Sequence, residues 1–232
     1  MEWETTNAKA MPEITAVVCD NSYTPPLGNR SLVYLAGKRV FDFCAALLAL
    51  LLLSPVLLGV VAAIMIDDPH AGPIYVSKRV GKNLKIFHMF KFRSMYKDAD
   101  QRINDLLSQN EMSGPIFKIK NDPRITRIGR IIRSTSIDEL PQLLNVIAGK
   151  MSFVGPRPTV PYEVEQYTQE QKQRFVVTPG LTCFYQVARD RYDFDFETCF
   201  ELDMKYIQEQ SFLLDMMLIL KTVRIVLGGL SH

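Results

Sequence analysis

The sequence predicts an α-rich α+β domain with one short β-hairpin, attached to a membrane by a single apolar segment and lying on the bilayer through amphipathic helices. Three observations predict it. An apolar run from Phe43 to Ile66 is interrupted only by Ser54-Pro55 and has no equal elsewhere in the 232 residues. Most of the remaining segments carry helical rather than strand periodicity. One segment, Pro69 to Lys97, alternates apolar and basic residues around Gly-Pro and Gly-Lys-Asn turns, as a hairpin does. No large parallel sheet is signalled.

Residues 1–33 are polar and mixed, with a Pro25-Pro26 break and no sustained period, and are expected to form a flexible leader. The apolar run begins too far along the chain for a cleaved signal peptide. Residues 34–67 form the membrane segment, entered beside Lys38-Arg39 at the headgroup level. A straight helix from Phe43 to Ile66 would measure about 36 Å, enough to cross a hydrocarbon core of about 30 Å. Pro55 removes a helical hydrogen bond, and Ser54 is placed to satisfy the freed carbonyl. A bend there leaves two arms of roughly 16 Å each, about half the core. The segment alone is therefore compatible with a kinked span or with a dip that returns to its own side. Positive charge on both flanks, Lys38-Arg39 before and Lys78, Arg79, Lys82 and Lys85 after, favours export of neither end.

After the hairpin, Asp98 to Gln109 is polar and helix-prone. Arg124, Arg127, Arg130 and Arg133 follow at steps of three, a single basic stripe on a helix. A helix is expected from Ser136 to Gly149, then a loop, SFVGPRPTVP. A polar helix near Tyr162 to Arg174 and a Pro179-Gly180 turn come next. Glu197 to Gln208 and Phe212 to Leu227 read as two further helices, the last amphipathic with Lys221 and Arg224 on its polar side.

The net charge of +2 conceals strong patterning: Pro69 to Lys97 holds seven Lys/Arg and no acid, whereas Asp193 to Asp215 holds seven acids and one base. The basic block calls for an anionic ligand, whether lipid, phosphate or nucleic acid. Four cysteines without a CxxC pair and three histidines without ligand spacing point to free thiols in a reducing compartment. Few histidines and no GxSxG elbow argue against a hydrolytic triad.

The pentapeptide SIDEL, Ser136 to Leu140, places two adjacent carboxylates at a helix opening. Ser136 with Glu139 fits a capping box, and Asp138 could itself be the N-cap. The functional alternative is that Asp138, kept anionic by the helix start and by Arg133, is a nucleophile, with Glu139 holding a divalent cation on a phosphate. Lys91, Arg93, Arg133 and Arg157 could neutralise the phosphate oxygens, and Arg157 stands out because Pro156 and Pro158 stiffen its turn. Asp193-Phe194-Asp195 matches the DxD of metal-dependent glycosyltransferases, although Asp195 could equally cap the helix that follows. Three readings thus stand: a phosphoryl-transfer enzyme, a non-catalytic membrane scaffold whose basic residues bind lipid, and a DxD glycosyltransferase releasing UDP.

The segments KRVFD (Lys38 to Asp42), GPIYVSKRVGKN, KFRSM (Lys91 to Met95), DPRITRIGRIIRSTSIDELPQLLNV, MSFVGPRP (Met151 to Pro158) and PGLT, with the Ser54-Pro55 bend, resemble the bacterial sugar transferase family. These are the monotopic polyprenyl-phosphate phosphoglycosyl transferases. The resemblance covers about Leu35 to the C-terminus. It implies transfer of a sugar-1-phosphate from a UDP-sugar to undecaprenyl phosphate with release of UMP, the opening membrane step of a surface polysaccharide. It implies that Asp138 attacks the β-phosphate to form a phosphosugar-aspartyl intermediate and that Glu139, with Asp138, positions Mg²⁺. Arg133 and Arg157, and with them Lys91 and Arg93, would bind phosphate. The implied topology is a re-entrant helix-break-helix with its break at Ser54-Pro55, carrying residues 68–232 as a catalytic domain on the cytoplasmic face of the inner membrane. Anionic lipids and downstream glycosyltransferases are the further partners implied, and nucleic acid is not. The chain reads as a core form without the multi-span N-terminal domain of larger relatives. It departs from the family's PGLTGW at Cys183-Phe184, where many relatives carry Gly-Trp.

Overall fold

The computed structural model describes residues 31–70, 72–99, 101, 102, 119, 122–188 and 194–228. The leader up to residue 30, most of the helix expected from Asp98 to Gln109, and Asp193 lie outside these residues.

Helix α1, Leu32–Asp67, is 36 residues long and carries Pro55 inside it. By length and composition it could cross a membrane: its most apolar window has a mean hydropathy of 2.8 and is 6% buried. The expected break at Ser54-Pro55 does not interrupt the helix. Pro55 cannot donate to the Leu51 carbonyl, and the Ser54 hydroxyl donates to that carbonyl instead, at 2.8 Å. One freed acceptor is thereby satisfied and helical structure continues on both sides.

Both halves of α1 pack on the same domain. Before Pro55, Ala46 is fully buried among Phe87, Met89, Leu143, Val146 and Met151, with Ala49 and Leu50 against them. After it, Ile64 is buried with Phe92 and Ile132, flanked by Leu57, Val60 and Val61. Leu47, Leu48, Leu51, Leu52 and Leu58 are exposed on the remaining surface. Polar contacts hold the two ends. Lys38 Nζ meets Asp215 Oδ2 at 2.7 Å, and the Tyr34 and Tyr206 hydroxyls donate to the same carboxylate at 2.9 and 2.8 Å. Arg39 donates to the carbonyls of Val146 and Ile147. At the far end, Asp67 Oδ2 accepts from the backbone N–H of Ile128.

The hairpin is as expected: β1, Ile74–Val80, pairs antiparallel with β2, Ile86–Phe92, in the register Ile74 with Phe92 to Val80 with Ile86. Phe87, Met89 and Lys91 share its inner face by strand alternation. The Arg stripe is divided. Arg124 precedes the helix and is buried against Asp122, whereas Arg127 and Arg130 are exposed on α2, Arg127–Ser134. Thr126 caps α2 by accepting from Gly129 N. Gly129 can only be glycine, since a Cβ would lie 2.0 Å from the Ser94 carbonyl oxygen.

The helix expected from Ser136 to Gly149 is shorter. It begins with a 3-10 turn, Ile137–Glu139, and α3 proper is Gln142–Ile147. Ser136 has φ 56°, in the left-handed region, and its side chain makes no cap bond, so the capping-box reading fails. The loop expected from Ser152 starts as a strand: β3, Ser152–Val154, pairs parallel with β4, Gly180–Thr182. That pairing needs two glycines, because a Cβ on Gly180 would fall 2.1 Å from Gly155 N. The helix expected from Tyr162 to Arg174 is two pieces, α4 (Pro161–Val164) and a 3-10 stretch, Gln171–Val176. Thr168 and Gln171 separate them, each accepting the other's backbone N–H in a capping box that starts the second piece. Helices α5, Phe196–Glu209, and α6, Phe212–Leu227, lie where expected, with Leu213, Met217, Leu220 and Leu227 exposed along one stripe of α6.

Asp215 is 2% exposed and takes three hydrogen bonds, so Asp215→Ala leaves Lys38 and the Tyr34 phenol without this acceptor, while Tyr206 keeps the Val154 carbonyl. Removing one partner of a buried pair costs about 3–5 kcal/mol. Urea denaturation of the detergent-solubilised protein should show a loss of that order, and a loss below about 1 kcal/mol would contradict the role given to this contact.

Candidate active site

The site is assembled where the inner face of the hairpin meets the turn between α2 and α3. Phe87 and Met89 enter the core, and Lys91, the next inward residue of β2, emerges at its edge. Asn145 fixes α3 to this strand: its amide accepts from Phe90 N at 3.0 Å and donates to His88 O at 2.7 Å. With that register set, Lys91 Nζ reaches Glu139 Oε1 at 2.6 Å.

The left-handed Ser136 reverses the chain after α2. A non-glycine residue there costs roughly 1 kcal/mol or more. The reversal turns Asp138 back toward Arg133, whose Nε donates to Ser94 Oγ at 2.9 Å. Neither carboxylate caps a helix, since α3 starts later with Pro141 at its N-cap position. Asp138 is buried and Glu139 half-buried.

Their electrostatics diverge. Burial raises the Asp138 carboxyl to about 6, a rise that Lys91 and Arg133 oppose and Glu139 assists. Burial thus outweighs the neighbouring cations in setting the direction of the shift, yet a carboxyl at about 6 is still mainly the anion at neutral pH, as expected for Asp138. Burial also works against ionising Glu139, but Lys91 and Arg157 outweigh it and hold that carboxyl below its ordinary value. Burial, countered first by Asp138, lowers Arg133 from the usual guanidinium range.

Across the cleft, β3 and β4 carry the Gly155–Pro158 turn. Gly155 N donates to Thr182 O and Gly180 N to Pro156 O, which clamps the turn's backbone. Arg157 Nη1 donates to Tyr185 Oη at 2.9 Å. A cleft opens between the two sides, lined by Arg79, Lys91, Glu139, Gln142, Arg157 and Gln186 among others. Of the residues singled out in the sequence, Glu139, Lys91 and Arg157 line this cleft, and Asp138 and Arg133 lie within electrostatic reach of them. It does not bring Arg93 there: its Nε donates to Gly72 O and its guanidinium lies over the Tyr75 ring.

Arg79 was not singled out. Strand alternation puts it on the inner face with Lys91, and that parity was the available signal. It donates to Pro158 O, and burial, with Arg157 opposite, lowers its pKa. Asp195 accepts from Thr198 N at 2.8 Å and so caps α5, the structural role weighed for it.

Among the described residues no three His, Cys, Asp or Glu side chains are gathered as a metal cluster. The adjacent Asp138 and Glu139 are thus the carboxylates on offer, with one Glu139 oxygen on Lys91. Two carboxylates suit Mg²⁺, which usually keeps waters and shares substrate phosphate oxygens, better than a metal needing a full protein cage.

A model of the family described as bacterial sugar transferase matches residues 33–229. The chain belongs to the bacterial sugar transferase family. Within it, the chain is 44% identical over 196 residues to the galactosyl transferase CpsE of Streptococcus agalactiae serotype III, covering 84% of this chain and 43% of that protein. It is 38% identical over 205 residues to an undecaprenyl-phosphate galactose phosphotransferase of Salmonella typhimurium, covering 87% and 42%. The exopolysaccharide production protein ExoY of Sinorhizobium fredii is 38% identical over 192 residues, with 81% and 84% covered. The chain thus spans about two fifths of the first two relatives and most of the third.

In the metal-free sugar transferase, Asp138 should titrate near 6, the carboxylate being present above that pH and lost below it. Carboxyl ¹³C NMR on aspartate-labelled protein measures this, and Lys91→Met should move the midpoint upward by removing the opposing charge. A midpoint below 4 would contradict the burial argument.

Proposed function

We propose that this chain is a phosphoglycosyl transferase of the bacterial inner membrane, working at its cytoplasmic face. It transfers a sugar-1-phosphate from a UDP-sugar to undecaprenyl phosphate and releases UMP. The observation that carries this reading is the buried Asp138, coupled electrostatically to Lys91 and Arg133 and adjacent in the chain to Glu139, which lines the cleft with Lys91, Arg79 and Arg157.

The chemistry follows from that arrangement. An anionic nucleophile approaches a diphosphate only when the non-bridging oxygens are neutralised. Arg157, Arg79 and Lys91 supply donors from both walls of the cleft, and Arg133 supplies one behind Asp138. An Asp138 oxygen forms a bond to the β-phosphorus as the bond from that phosphorus to UMP breaks, and the electron pair leaves on the UMP phosphate. The undecaprenyl phosphate oxygen then attacks the same phosphorus, and Asp138 departs as a carboxylate. No proton need be transferred in either step. Mg²⁺ held by Glu139 and Asp138 would add positive charge on the phosphate oxygens.

Membrane attachment supports the same reading. The two halves of α1 pack on one domain, at Ala46 before Pro55 and at Ile64 after it, which favours a re-entrant segment over a span. The exposed stripe of α6 supplies an apolar face for the interface. Anionic lipids would meet Lys78, Lys82 and Lys97 there. Salmonella and Sinorhizobium relatives named for galactose transfer to undecaprenyl phosphate and for exopolysaccharide production agree with a place early in surface-glycan assembly. Downstream glycosyltransferases would then act on the product.

A panel of UDP-hexoses and UDP-N-acetylhexosamines, assayed with undecaprenyl phosphate and Mg²⁺, should release UMP. Asp138→Asn should retain its circular dichroism and lose at least about 10³-fold in rate. Release of UDP would favour the DxD reading, and full activity in Asp138→Asn would remove the nucleophile assignment.

A further inference from the structure

We infer that Gln142 is a specificity-determining residue that reads the polar substituent at C2 of the transferred sugar. The inference rests on the reaction proposed above. Gln142 is the first residue of α3 and only 3% exposed, and it lines the cleft beside Glu139, Lys91 and Arg157. Among the described residues its side chain has no hydrogen-bond partner, whereas the similarly buried Asn145, three residues on, uses both ends of its amide on β2. Gln142 Oε1 and Nε2 are not sealed off as unpartnered buried atoms, so the amide end opens to the cleft and is available to bond a partner from outside the chain.

The chemistry of the amide narrows that partner. The other polar groups at the cleft include three cations, Arg79, Lys91 and Arg157, which are donors matched to phosphate oxygens. A carboxamide offers a donor and an acceptor together. Phosphate would satisfy its N–H and leave its oxygen unmatched. A hydroxyl or an acetamido group matches both.

Position narrows it further. Gln142 follows Asp138 by four residues, across the 3-10 turn Ile137–Glu139, and lines the cleft together with Glu139, the neighbour of Asp138. The part of the donor nearest the attacked phosphorus, apart from phosphate itself, is the sugar ring bonded through C1. The C2 substituent is the first polar group on that ring. Ribose and uracil lie beyond a second phosphate, farther from the nucleophile and its neighbours than the sugar ring is.

The test compares kcat/KM for UMP release from three donors: the best UDP-sugar, its 2-deoxy-sugar analogue, and the same sugar on 2′-deoxy-UDP. The wild-type protein should disfavour the 2-deoxy sugar by at least about 100-fold, since a site built to hydrogen-bond a group rejects the analogue lacking it. Gln142→Met should lose a similar factor on the best donor and less than about threefold on the 2-deoxy sugar. Gln142→Glu, which keeps the size and an acceptor but no donor, should show the same donor-selective loss and serves if the Met variant does not fold. Equal losses on all three donors would mark Gln142 as structural, and a selective loss tied to the ribose hydroxyl would move it to the nucleotide; either overturns the inference. A wild-type protein that releases UMP from no UDP-sugar would instead overturn the proposed reaction.

Discussion

The arrangement of this domain depends on α1, a helix that is wall and anchor at once. Its apolar surface exceeds what the domain can cover, so one stripe enters two cores while the leucines on the other side stay exposed. The stripe alone would slide, because apolar contact has no direction. Direction comes from the polar contacts at the ends. Arg39 sits on the last carbonyls of α3 and Asp67 on an early N–H of α2, each charge placed where the helix dipole favours it. Each such contact is worth about 0.3–1 kcal/mol at the surface, and the Lys38–Asp215 pair between the phenols more. The helices that hold Arg133 and deliver Asp138 are therefore positioned from the membrane segment itself.

The second consequence concerns charge. Adjacent carboxylates in a buried turn cannot both be easily ionised. Lys91 touches Glu139 directly, and the cost of burial therefore falls on Asp138. The pair is split into one carboxyl held below its ordinary value and one raised to about 6. Such a division suits a site in which one group holds charge in place and its neighbour forms and breaks a covalent bond. Asn145 sustains it, because its two bonds to β2 set how far Lys91 projects toward Glu139.

Much of this was legible in the residues. The hairpin announced itself through alternation, α1 through its long apolar run, and α5 and α6 through helical period, with the Asp195 cap weighed for α5. The Ser54 bond to the Leu51 carbonyl followed from what proline removes. Other features left no such trace. Ser136 adopts a left-handed conformation that its side chain does not advertise, so SIDEL resembled a capping box when it is a reversed turn. The β3–β4 pair is three residues on each strand, too short for a period, and only the close approach at Gly155 and Gly180 reveals it. Arg79 and Arg93 looked alike in the basic block and share the strand parity of Lys91, yet Arg79 lines the cleft whereas Arg93, just past the end of β2, is bonded to Gly72.

Both ends of α1 are bonded to one domain, and the proposed re-entrant topology therefore keeps both on one side of the membrane. Single cysteines at Ser31 and His70, introduced in a background free of the native cysteines, can be probed in sealed inverted inner-membrane vesicles with a thiol reagent that does not cross lipid. Labelling of both positions at equal rates without permeabilisation is the outcome the contacts demand. Labelling of one position only, with the other appearing after detergent, would make α1 a span and contradict the account.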